Sequence, residues 1–294
     1  MSDPSTGSGQ RHTPPIEFAG RSFVLTTDAE QDHYFDHIGR VSLPAAVHVA
    51  AGLCGAGAVL VDVGANMGLC TLPFSIIAGE SGRVVAVEPG RRTAADLRRS
   101  VQLNDALNIT VLETALGDAA GEATLIDPGW NASAAFISQQ TSGVADVHTN
   151  HLPVHATTVR VQTLDTVVDE HHLDRIDLLK IDVEGFESKV LAGATRTISR
   201  FRPPCVIEFN PFTLAVMASE NPLHFLTGLA TIFPFVAAID DHLNVEPITN
   251  DHAAYSLVHR CFLRGQICDL ICSWTDYSGL FGEPRELFSG PRPA

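Results

Sequence analysis

The chain has 294 residues, of which 45% are hydrophobic and 18% charged. That apolar fraction builds a large core and excludes a disordered polyelectrolyte. With 19 basic and 34 acidic residues the net charge is −15, which repels phosphate backbones and anionic membranes. Nucleic acid is therefore not an expected partner.

The six cysteines (Cys54, Cys70, Cys205, Cys261, Cys268 and Cys272) form no CxxC pair, and several sit in apolar runs. They read as reduced, buried side chains of a cytoplasmic protein rather than as a disulfide framework or zinc site. No apolar run reaches the ~18 residues of a membrane span. Asp62 interrupts the best candidate.

Residues 1–15 are rich in Ser, Thr, Gly and Pro without a signal-peptide pattern, and read as a disordered tail. Residues 16–55 read as an N-terminal cap with a helix over 43–53, and residues 56–275 as one catalytic domain. Residues 276–294 read as a C-terminal tail. From 59 onward the rhythm is strand, turn, helix. Strands are predicted at 59–63, 83–88 and 109–116, with helices at 68–78 and 92–104 between them. The alternation weakens over 117–176, where antiparallel strands at 122–126 and 157–164 flank a long loop over 129–153. A fourth strand at 177–183, a helix at 187–198 and a fifth strand at 205–209 restore it. A helix at 224–233, a strand at 235–239, a helix at 253–263 and a strand at 267–274 complete the chain.

Such alternation predicts an α/β fold, a mostly parallel sheet with helices on both faces and an antiparallel edge strand. Ligands of open parallel sheets lie beyond the carboxyl ends of the strands. Residues 64–68, 88–89, 116–118, 182–185 and 208–210 should therefore surround one crevice.

The turn after the first strand reads Asp62-Val63-Gly64-Ala65-Asn66-Met67-Gly68. Gly64 permits a sharp bend, Asn66 tolerates positive φ, and Gly68 opens the helix. The spacing departs from the G-x-G-x-x-G dinucleotide fingerprint, since Asn66 and Leu69 stand at glycine positions, and no P-loop lysine is present. Asp62 at the strand end can face an ammonium group, and Glu88, ending the second strand, can accept both hydroxyls of a ribose. A ligand with ribose, amino and carboxylate groups is S-adenosylmethionine. A nicotinamide-dependent oxidoreductase on a similar sheet and a non-catalytic Rossmann-like binding protein are the competing readings.

With VDVGANMG at 61–68, AVEP at 86–89, ALGD at 115–118, LKIDVEG at 179–185 and VLAG at 190–193, the chain resembles the FkbM-type methyltransferases over roughly residues 59–210. The resemblance implies a Rossmann-like class I fold that uses S-adenosylmethionine. It also implies O-methylation of a hydroxyl on a glycan, glycolipid or natural product. Carried over by position, Asp62, Gly64, Asn66, Gly68 and Glu88 match the cofactor site. Asp118, at the end of the third strand, falls where class I enzymes often contact the adenine.

Methyl transfer to oxygen needs a positioned acceptor and a base for its proton. Lys180, Asp182 and Glu184 alternate along the fourth strand, which predicts one shared face. Asp182 is the expected catalytic carboxylate, with Glu184 and Glu208 as secondary candidates and Lys180 available to pair with Asp182 or Glu208. The competing reading is a structural ion-pair cluster. Asp182, Glu208 and Asn210 could instead hold a hard divalent cation, although no metal site is expected from their spacing. His148, His151 and His155 read as solvated loop residues. Trp130, Asn131 and Phe136, with Tyr34 and His37 of the cap, are candidates for the acceptor wall.

Overall fold

Five consecutive β-branched or leucine-rich strands lie side by side in parallel, and their alternating side chains fill two separate cores. The computed structural model describes residues 10–38, 42–129, 131–138, 154–240, 242–277 and 279. In chain order it contains β1 (Arg11–His12), β2 (Ile16–Phe18), β3 (Arg21–Phe23), β4 (Thr26–Thr27), α1 (His33–His37), α2 (Ala45–Leu53), β5 (Val59–Val63), α3 (Thr71–Ala78), β6 (Arg83–Val87), α4 (Arg91–Leu103), β7 (Ile109–Leu112), β8 (Ala115–Leu116), β9 (Gly121–Asp127), β10 (Phe136–Ser138) and β11 (His155–Gln162). There follow α5 (Leu164–Glu170), β12 (Leu178–Ile181), α6 (Glu187–Ala192), α7 (Thr195–Phe201), β13 (Cys205–Phe209), α8 (Pro222–Ile232), β14 (Phe235–Ile239), β15 (Val245–Pro247), α9 (Asp251–Arg264) and β16 (Cys268–Ser273).

The main sheet runs β15-β14-β16-β13-β12-β5-β6-β7. Pairing is parallel from β7 through β13. On one face Val61, Leu179 and Ile207 pack with residues of α6, α7, α8 and α9. On the other, Leu60, Leu178 and Val206 pack with residues of α2 and α3. Successive strand residues point to opposite faces, so both faces are apolar and both are covered. The predicted α/β class is what the structure has. The antiparallel element is larger than expected: β15 is an antiparallel edge strand on β14, and β16 is inserted antiparallel between β13 and β14. An inserted strand is buried on both faces, as Leu270 on one side and Ile271 on the other are.

Several element boundaries differ from the sequence expectation. The strand predicted at 109–116 splits into β7 of the main sheet and β8, which joins a second sheet of order β10-β9-β11-β8. The predicted antiparallel pair is β9 with β11, and β10 adds to it from within the expected loop. The strand predicted to reach Leu164 stops at Gln162, because the Thr163 side chain accepts the Thr166 N–H at 3.1 Å and starts α5. The helix predicted over 187–198 breaks into α6 and α7 at Gly193, where a Cβ would lie 1.9 Å from the Gly117 carbonyl oxygen. Pro73 is the third residue of α3, inside the first turn where it removes no helical bond.

Part of the expected N-terminal tail is ordered into the fold, since β1 pairs with β4. Asp32 accepts the Phe35 N–H at 3.2 Å and so caps α1. The same buried carboxylate lies 3.4 Å from Arg92 of α4 and accepts from the Ala132 N–H at 3.4 Å. The cap is thereby tied to the main domain and to the turn preceding β10. Among the described residues, no helix is long and apolar enough to cross a membrane.

Candidate functional site

The turn leaving β5 is held from three sides. Gly64 has φ +79°, and a Cβ there would lie 1.7 Å from the Asp182 carbonyl oxygen, so only glycine lets β5 and β12 end this close together. The N–H groups of Gly64 and Ala65 both donate to the Val87 carbonyl at 3.0 Å. Asn66 takes the left-handed conformation at φ +48°, as its residue type allows. Its backbone N–H donates to Oε2 of Glu88 at 3.0 Å, and Oε1 of Glu88 accepts from Gly90 at 2.8 Å. Glu88 is 8% exposed. Burial pushes its carboxyl up to about 7, against the two N–H donors that favour the charged form. Each carboxylate oxygen has a second lone pair, so both still accept a hydroxyl.

Beneath this turn stands Lys180, 6% exposed. Its ammonium donates to the Gly64 carbonyl at 2.9 Å and lies 3.1 Å from Asp182 and 3.3 Å from Asp62. Burial lowers its proton affinity, but Asp182 and Asp62 outweigh it and the net shift is upward. Asp62 is fully buried and also accepts from the Thr71 hydroxyl at 2.6 Å. The expected pairing of Lys180 with Asp182 is present; Glu208 is not its partner.

The fourth strand ends at Ile181, two residues before the predicted boundary. Asp182 and Glu184 therefore lie beyond it, and Glu184 sits in the turn at φ +52° rather than on a shared strand face. The turn nevertheless carries Glu184 to Asp182 and Glu208, whose carboxylate oxygens all lie within 4.8 Å of one another. Three such oxygens are able to reach one hard cation. Asn210 does not join them, because its side-chain oxygen accepts from Phe212 and Thr213 at the following turn. Burial, then the Asp182 charge, raises both Glu184 and Glu208. Oε2 of Glu208 is enclosed without a partner among the described residues.

All of this opens on one cavity of about 1110 Å³ at the carboxyl ends of β5, β6, β12 and β13. Gly64, Asn66, Glu88, Asp182, Glu184 and Glu208 line it. Asp62 and Gly68 do not: Asp62 lies under the turn, and Gly68 packs so that a Cβ would meet Leu97 at 2.7 Å. Asp118 is also outside the lining, on the surface, paired with Lys189 at 2.7 Å, which holds its carboxyl below the usual range. Of the residues expected in the acceptor wall, Tyr34 and Phe136 line the cavity, whereas His37 and Asn131 do not. Asn131 instead caps the short turn Ala132–Ala134. His155 is exposed on β11, and Trp130, His148 and His151 lie outside the described residues.

Three further residues have no role assigned from the sequence, although Glu187 accompanies the LKIDVEG block that carries the resemblance. Glu187, 1% exposed, accepts from the Val183 and Gly185 N–H groups at 3.2 Å and shapes the turn that presents Glu184. Burial pushes it up to about 7. Arg264, the last residue of α9, and Ile267, just before β16, also line the cavity; only the sheet order brings them there.

The Methyltransferase FkbM domain matches residues 62–234, more than half of the chain and all four strand ends that build the cavity. The chain belongs to the FkbM methyltransferase family. That membership displaces the nicotinamide oxidoreductase alternative. A Beauveria bassiana protein named Methyltransferase 1 is 30% identical over 144 residues, 46% of this chain and 57% of that protein. The AMB antimetabolite synthetase AmbE of Pseudomonas aeruginosa is 32% identical over 165 residues, 46% of this chain and 8% of that one. The chain thus spans less than two thirds of either curated relative. The solved FkbM methyltransferase of Methylobacillus flagellatus superposes with a TM-score of 0.45 at 18% identity, covering 81% of this chain and 50% of that one.

Proposed function

We propose that this FkbM-family chain binds S-adenosylmethionine in the cavity and methylates a hydroxyl oxygen of a glycan, glycolipid or natural product. One observation carries the reading: the tight Gly64–Asn66 turn and the Glu88 carboxylate face the same cavity as the Asp182, Glu184 and Glu208 carboxylates. The fit to the cofactor is chemical. Oδ1 of Asn66 is enclosed without a partner among the described residues, beside a carboxylate with spare lone pairs. Hydroxyl and amino donors of the ligand answer both.

Bound there, S-adenosylmethionine supplies an electrophilic methyl group on a positively charged sulfur. The chain's own residues do the rest. Glu88, at the end of β6, would accept the ribose hydroxyls. Asp182 would orient the acceptor hydroxyl and take its proton, with Glu184 and Glu208 beside it to hold or relay that proton. Tyr34, Leu69 and Phe136 are among the apolar residues of the wall, which excludes water and positions the acceptor. AmbE is named for the synthesis of an antimetabolite, which accords with a natural-product acceptor here. A cytoplasmic setting and independence from nucleic acid belong to the same reading.

The test is mass spectrometry of hydroxylated metabolites and glycolipids incubated with the protein and isotopically labelled S-adenosylmethionine. Label on an acceptor oxygen supports the reading. Folded protein that binds neither the donor nor S-adenosylhomocysteine in a calorimeter overturns it.

A further inference from the structure

We infer that Lys180 is a positioning residue for methyl transfer, its single ammonium locking the cofactor turn and the catalytic carboxylate into one unit. The inference rests on the proposed cofactor reading and deepens it. A lysine ammonium has three donors and no acceptor. Here three oxygens surround it: the Gly64 carbonyl at 2.9 Å, Asp182 at 3.1 Å and Asp62 at 3.3 Å. The three come from the ends of two neighbouring strands, on which Lys180 and Asp62 are register partners.

The arrangement explains why a cation is kept in the interior of a parallel sheet. Asp62 is fully buried, and an enclosed carboxylate is costly without a counter-ion. Lys180 offsets one of the two charges of Asp62 and Asp182 and, through the Gly64 carbonyl, ties their geometry to the turn that receives the cofactor. Asp62 in turn accepts from Thr71 at 2.6 Å, which extends the unit into the first residue of α3. One donor bonds the Gly64 carbonyl and the ammonium lies at ion-pair distance from Asp182 and Asp62, so among the described residues its charge is directed at these groups rather than at Glu184 or Glu208. The negative charge of the cavity therefore falls toward the acceptor side, and Lys180 sets how much of it the bound ligand feels. A fixed local charge separates a cationic donor from its neutral product, because the two differ by one positive charge at the sulfur.

The experiment is calorimetric titration of the full chain with S-adenosylmethionine and, separately, with S-adenosylhomocysteine. The variants are Lys180→Met, Lys180→Arg and Asp182→Asn, with thermal unfolding recorded for each. Lys180→Met is expected to weaken both ligands at least about tenfold, the order of a lost charged hydrogen bond. It should also shift the affinity ratio toward the cationic donor by at least about threefold, since a positive charge has gone. Asp182→Asn should shift the ratio the opposite way, and Lys180→Arg should return it toward wild type. A purely structural lysine would lower thermal stability without moving the ratio. Wild-type binding combined with unchanged affinity and ratio in Lys180→Met overturns the positioning role while leaving the cofactor reading intact. Wild-type protein that binds neither ligand overturns the cofactor reading itself, and this inference with it. If Lys180→Met does not fold, Lys180→Gln and Asp62→Asn are titrated in its place, and an unmoved ratio in both likewise overturns the proposal.

Discussion

The backbone N–H of Asn66 donates to Oε2 of Glu88 at 3.0 Å, so the ends of β5 and β6 are joined through a carboxylate that also lines the cavity. Its other oxygen is held by Gly90. Glu88 thus has a fixed orientation before any ligand arrives. Replacing it with Ala should weaken S-adenosylmethionine binding by roughly tenfold to a hundredfold, the loss of hydrogen bonds to a charged acceptor. Calorimetry reads this directly, and unchanged affinity would remove Glu88 from the ribose site.

Asp182 stands on the acceptor side of the same cavity. Asp182→Asn keeps the size of the side chain but loses its capacity to take a proton. Turnover on the true acceptor should fall by at least about a hundredfold, while S-adenosylhomocysteine affinity stays within a few fold. Near-normal turnover in this variant would assign the proton to Glu184 or Glu208.

The oxygens of Asp182, Glu184 and Glu208 could hold a hard cation, but the proposed proton path runs without one. Turnover should survive exhaustive chelation followed by gel filtration. Loss on chelation with recovery on adding Mg²⁺ would reassign the three carboxylates as ligands.

Burial raises Glu88 and Glu187 from 4.5 to about 7. Between those values the native protein holds more protons than the unfolded chain. The free energy of unfolding therefore falls as pH rises through that window. For the unliganded protein the urea midpoint should drop from about pH 5 to about pH 8. In Glu187→Gln, which keeps an acceptor for the Val183 and Gly185 N–H groups, the drop should shrink. A midpoint that rises over the same range contradicts the assignment.

Asp32 is buried and joins α1, α4 and the turn at Ala132. Removing it leaves those N–H groups without their acceptor, so Asp32→Ala should cost about 1–3 kcal/mol. Hydrogen exchange should accelerate at residues 132–138 and around Tyr34, on the cavity wall. Acceleration confined to the first residues of the chain would show that the cap is independent of the site.

The order of strand, turn and helix was legible because both faces of a parallel sheet are covered, which leaves apolar runs such as Val59–Val63 and Cys205–Phe209 at their observed bounds. The tight turn at Gly64 and the left-handed Asn66 were legible for a similar reason, since each depends on the backbone freedom of one residue type. What followed from contact between distant segments was hidden. Gly193, which ends α6, packs so tightly on the Gly117 carbonyl that no side chain fits there. β16 lies inside the sheet rather than at its edge. Asp118 sits in the right motif, yet its side chain turns to Lys189 on the surface. Local composition set the kind of turn and the identity of the acids. Only the packing of β5 against β12 decided which acid the buried lysine holds and which carboxylates remain for a ligand, because charge pairing depends on distances in space that sequence spacing does not contain.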